Sequence, residues 1–92
     1  MADRILLKGS ESAVPATAGA ATSFSEATVV RFANKATGTD HTLTVKTAVG
    51  GTVVGTFTIM RSTSEVLEKN PTDVVHVDSG TAVVGTKVGF TN

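Results

Sequence analysis

Residues 67–80, LEKNPTDVVHVDSG, set two acids, a histidine and a third acid within a short reach of one another. His76 and Asp78 are two apart, so a strand would project both from one face. Glu65, Glu68 and Asp73 lie close by in sequence. Imidazole and carboxylate together can ligate Zn²⁺ or Mn²⁺. A catalytic zinc takes three protein ligands and keeps one position open. The only other histidine, His41, falls on a different predicted strand, and there is no cysteine to supply a thiolate. The ligand supply is short, so the expectation is no metal, no cofactor and no catalytic residue. His76 and Asp78 read as the polar face of an exposed strand.

The other candidates fail on the same kind of ground. Ser10, Ser12 and Ser64 lack the His/Asp setting that activates a nucleophile. Gly50-Gly51 has neither the following helix nor the lysine of a phosphate-cradling loop. Asn70-Pro71-Thr72-Asp73 has a structural use instead. Proline fixes φ, and Asn and Asp side chains accept hydrogen bonds from nearby amides. Pro71 and Asp73 are therefore assigned to a tight corner between strands.

These residues sit in a chain patterned for strands. Val and Thr dominate, and β-branched residues are stiff at χ1 and fill a pleated surface well. Period 2 recurs after residue 27, and no sustained 3.6 period does. Residues 4–8 form a short first strand that Gly9 ends. Residues 27–34, ATVVRFAN, point Val30 and Phe32 inward. Residues 41–49, HTLTVKTAV, point Leu43, Val45 and Val49 inward. Gly50-Gly51 then suits a two-residue type I′ hairpin, which needs positive φ at both positions. The return strand has Phe57 and Ile59 on the core side. Residues 62–69 are one more strand or a single helical turn. Residues 73–78 place Val75 and Val77 inward. Residues 82–90 place Val84, Val88 and Phe90 on one face, and Gly85 and Gly89 mark a bulge or a close backbone approach.

Six to seven short strands with turns between them predict an all-β fold, a small antiparallel β-sandwich or barrel. Residues 10–25, SESAVPATAGAATSFS, have no periodicity and too little apolar content for a core of their own. They read as a flexible extension. The expected organisation is an N-terminal strand and extended N-terminal arm over residues 1–26 and a sandwich over residues 27–92. Ile5, Leu6 and Leu7 are apolar on both faces of their strand. Such a strand is buried on both sides or lies between chains, so these three are the candidate interface residues. A tether lets them reach a neighbour's sheet at modest entropic cost. The competing reading folds the strand back into its own sheet.

Composition narrows the partners. Among 92 residues, Lys plus Arg and Asp plus Glu are 8 each, and charged residues are only 17%. No clustered basic face indicates nucleic acid. No apolar run reaches the length of a membrane span, and the N-terminus lacks the apolar core of a signal peptide. A neutral, lightly charged surface favours association. With no Trp and no Tyr, the aromatic platform of a carbohydrate-binding module is missing.

Three stretches carry a family likeness: TVVRFAN, GTFTIMRSTSEVLEKNPTDVV and VVGTKVGFTN. With them, the chain from about Thr28 to Asn92 resembles small virion structural proteins of tailed bacteriophages, cyanobacterial ones in particular. Lys69-Asn70-Pro71-Thr72-Asp73 matches that group's K-x-P-T-D corner, and Lys87-Val88-Gly89-Phe90 matches its closing strand. Residues 10–25 are not covered. The resemblance implies a capsid decoration, or cement, protein made in the host cytoplasm and carried on the capsid surface. Its partners would be the major capsid protein and copies of itself, as a homo-trimer. A tail, neck or fibre component is the alternative within the virion, and a surface- or carbohydrate-binding module is the alternative outside it.

Overall fold

The structure is a computed structural model that describes the backbone of residues 4–91 and the side chains of residues 6–89. Among the described residues eight strands follow one another: β1 (Arg4–Leu7), β2 (Ser12–Ala13), β3 (Val29–Asn34), β4 (His41–Lys46), β5 (Val53–Ile59), β6 (Ser64–Glu68), β7 (Val74–Val77) and β8 (Val83–Thr91). The helical content of the described residues is a single 3-10 turn, Ala18–Ala20. The fold is all-β, a small antiparallel sandwich. One sheet has five strands in the order β1-β8-β3-β6, with β2 also on β8. The other has three, β5-β4-β7.

Alternation explains the layering. In β3 the burial alternates, with Val30, Phe32 and Asn34 inside. In β4 it alternates with His41, Leu43 and Val45 inside. These rows meet Ile59, Val75, Val77 and Val83 to form the core. Burying a Val, Leu or Phe side chain stabilises by about 1.5–3 kcal/mol, so this layer dominates the stability.

The segment expected as an extended arm folds onto its own domain. Val14 is 1% exposed and Phe24 7%, and both belong to the core. Val14 N–H donates to Val83 O, Val77 N–H donates to Pro15 O, and Thr22 and Val75 exchange backbone bonds. Two large side chains spaced along an Ala/Ser/Thr stretch supply the anchors, and the sheet edge satisfies the backbone. The division at residue 26 therefore does not separate two bodies. Phe24, Ser25 and Glu26 all have positive φ, at 55°, 58° and 56°. That left-handed turn costs roughly 1–2 kcal/mol per residue. It drives Phe24 inward against Phe32, with ring centroids 5.5 Å apart and nearly perpendicular.

The β4–β5 hairpin differs from the two-residue turn expected. Thr47 N–H donates to Thr52 O and Gly51 N–H to Ala48 O, closing a four-residue loop over residues 48–51. Only Gly50 has positive φ, at 76°. Gly51 is required for space instead: a Cβ there would lie 2.5 Å from Thr47 Oγ1 and 2.9 Å from Ala48 N. Val49, expected inward, sits in this loop and is exposed. In β8, Val83 joins the core cluster and Gly85 meets the rings of Phe24 and Phe32, while Val84, Thr86 and Val88, on the opposite face, are buried as well. Both parities carry valine, so alternation alone could not choose the side.

Candidate functional site

The apolar residues singled out at the N-terminus end up on a two-stranded ribbon at the end of the larger sheet. β3 pairs with β8 only as far as Val30↔Lys87. Beyond that, residues 88–91 of β8 pair, among the described residues, with β1 alone, from Leu7↔Val88 to Arg4↔Thr91. Lys8 N–H donates to Lys87 O. Four residues, 8–11, then oppose two before β2 resumes at Ser12↔Gly85. A two-stranded ribbon with no third strand is marginal in water by itself. Leu6 and Leu7 project from opposite faces of it, 49% and 71% exposed. The side chain of Ile5, the third interface candidate, lies outside the described residues.

The residues of the opening motif are pulled apart. Asp78 lies past the end of β7 and accepts from, or shares a proton with, His41 Nδ1 on β4 at 2.7 Å. His76 is on the outer face of β7, and its Nδ1 is buried without a partner. Among the described residues no group of three His, Cys, Asp or Glu side chains is placed to hold a metal ion.

The corner is built as its residue types suggest. Asp73 N–H donates to Asn70 O at 3.0 Å. Asn70 N–H donates to Asp73 Oδ2 at 3.2 Å. The resemblance places Lys69 in this corner but does not say what it bonds. Its Nζ donates to Ala27 O at 2.7 Å, and to Asn70 O and Pro71 O at 3.3 and 3.4 Å. All three ammonium protons are used, so Lys69 ties the corner to the chain before β3. Burial pushes its pKa down, and the charge of Asp73 works the other way. A lysine followed by a proline turn was legible, but its partner forty-two residues back was not.

Lys69 and Asp73 also line a crevice of about 220 Å³ between the edge strands of the two sheets. Val54, Gly55, Thr56 and Phe57 of β5 form one wall, and Leu67 and Glu68 of β6 form the other. Val54 is an extra residue in β5: the register passes from Val45↔Gly55 to Lys46↔Val53 and skips it. Such a bulge bends an edge strand locally.

Two carboxyls, Asp40 outside the motif and Asp78 within it, set the response to acid. Arg61 donates through Nε and its backbone N–H to Asp40 Oδ1, and these bonds hold the Asp40 pKa below its ordinary 3.8. At Asp78, burial pushes the pKa up, but bonds from His41, Thr42 and Ser79 outweigh it and leave it below 3.8. A carboxyl with a depressed folded pKa contributes stability above its unfolded pKa and loses it as pH falls through the folded value. The melting temperature is expected to be level from neutral pH to about pH 5 and to fall below about pH 4. Asp78→Asn should reduce that fall. A wild-type melting temperature that stays constant down to about pH 2 would refute this assignment.

No protein-family model, curated protein or solved structure matches this chain. No helix of the described residues is long and apolar enough to cross a membrane.

Proposed function

We propose that this chain is a structural protein of a tailed-phage virion, a decoration or cement protein that binds the outside of the head. The reading rests on the sequence resemblance over residues 28–92. The observation that carries it in the fold is the β1/β8 ribbon. Leu6 and Leu7 stand clear of the sandwich on opposite faces, and apolar surface so placed is stabilised when another protein covers it. The partners are the major capsid protein and further copies of this chain. Each copy contributes a weak bridge between capsid subunits, and many copies on one shell add up through avidity. No step of covalent chemistry is assigned to it.

The test is localisation on purified particles, by labelling or by imaging with the protein identified. The protein is expected on the head surface. Added back to undecorated heads, Leu6→Asp with Leu7→Asp should bind at least about tenfold more weakly, the loss of two buried apolar side chains. Finding the protein in the tail or absent from particles overturns the proposal.

A further inference from the structure

The sandwich has four sheet edges, and three of them are protected. The edge of β7 is occupied by the chain's own backbone at Pro15 and Thr22. β6 carries Glu65 and Glu68 and runs into Pro71. β1 and β2 are short, and residues 8–11 interrupt them with Lys8 and Glu11. Charges, interruptions and coverings of this kind keep edges from pairing with other chains. β5 differs. From Thr47 to Met60 the chain has no charged residue. Four large exposed apolar side chains lie here: Val49, Val53, Val54 at 60% and Met60 at 53%.

About Phe57 the two flanking residues are the same, and the positions beyond them set uncharged residues against uncharged residues. Thr56 mirrors Thr58, Gly55 mirrors Ile59, and Val54 mirrors Met60. An interface between two identical copies across a two-fold axis must be self-complementary. Antiparallel pairing of β5 with itself, centred on Phe57, meets that condition at every position. Thr56 of each copy faces Thr58 of the other, a favourable cross-strand pair. Just beyond the regular stretch, the exposed Val54 at the bulge of one copy comes near the exposed Met60 that follows β5 in the other. Each Gly55 leaves room opposite Ile59. No like charges are brought together.

From this we infer that β5 is a homodimerisation edge, joining two three-stranded sheets into one continuous six-stranded sheet. Phe57 is half-buried and lines the crevice beside β5, so pairing brings the two Phe57 rings together at the axis and narrows the crevice mouth. The bulge at Val54 bends the strand where the paired segment ends, and because the chain's own backbone covers the β7 edge at the far side of each sheet, the assembly stops at a dimer. The elementary unit is then two-fold, in place of the trimer that the resemblance implies. It is a property of the chain in solution and does not depend on the virion reading.

Sedimentation equilibrium of the full chain tests it, with circular dichroism as the check on folding. The wild type is expected as a dimer. Thr56→Lys with Thr58→Lys sets lysines against lysines at both mirror positions and should give a folded monomer. Thr56→Glu with Thr58→Glu should do the same. Mixing the two variants should restore a dimer, which an unfolded variant could not do. A wild-type monomer or trimer, a lysine variant that stays dimeric, or a mixture that stays monomeric each overturns the inference.

Discussion

Gly85→Ala is expected to destabilise the fold by about 2–3 kcal/mol, the cost of forcing a methyl into a filled core. A Cβ on Gly85 would lie 2.7 Å from two ring atoms of Phe24 and 3.1 Å from one of Phe32. Neither ring has room to move away. Phe32 is fully buried between the sheets, and Phe24 is held by the left-handed turn of residues 24–26. Against a total stability of about 5–15 kcal/mol for a domain this size, the loss should be plain in the urea midpoint. Phe24→Leu removes the atoms in closest approach. In combination with Gly85→Ala it should therefore cost less than the sum of the two changes. A Gly85→Ala protein within about 0.5 kcal/mol of wild type would mean that the rings tolerate the methyl.

Asn34→Ala is expected to cost about 2–4 kcal/mol, because it strands several backbone groups at once. Asn34 ends β3 in the five-stranded sheet and is 2% exposed. Its Nδ2 donates to Ile59 O on β5, in the opposite sheet, at 3.1 Å, and to Thr39 O at 3.0 Å. Its Oδ1 accepts from Ala36 N–H at 3.0 Å. One side chain thus joins the two layers and shapes the connection from β3 to β4. Asn34→Asp keeps the shape but sets carboxylate oxygen against two carbonyls, so it should be worse than alanine. A loss below about 1 kcal/mol for Asn34→Ala would show that water takes over these bonds.

The sequence was most legible where one face of a strand is apolar and the other is not. β3, β4 and β7 have that pattern, and their inward residues are Val30, Phe32, Leu43, Val45, Val75 and Val77 as alternation requires. It was least legible where apolar residues are sparse or occur on both faces. Val14 and Phe24 are single anchors in a polar stretch, so residues 10–25 carried no period to mark them as core. β8 has valine at 83, 84 and 88, and only the packing of Phe24 and Phe32 on Gly85 fixes which side is inner. The hairpin loop was misread because Ala48 and Val49 continue the strand pattern of β4, although the chain has already turned. Asn34 and Lys69 act through carbonyls at long sequence separation, and residue type alone cannot reveal those partners. The glycine at 85 was legible as a bulge or a close backbone approach; what comes close is the pair of rings of Phe24 and Phe32.

The five-stranded sheet is organised around β8, which comes after every other strand in the chain. β1, β2 and β3 all take their hydrogen bonds from it, and β6 is held through β3. The three-stranded sheet needs only residues 41–77. In time, then, the two layers are unequal. The hairpin of β4 and β5 closes locally, while the larger sheet needs contacts that span nearly the whole sequence, the kind that make β-sandwiches fold in milliseconds to seconds. During synthesis, at about 5–20 residues per second, β1 to β3 emerge several seconds before the strand that pairs with them. The leucines of β1 stay unpaired through that interval, and with so few charges to hold other chains off the growing chain is open to wrong pairings until β8 arrives.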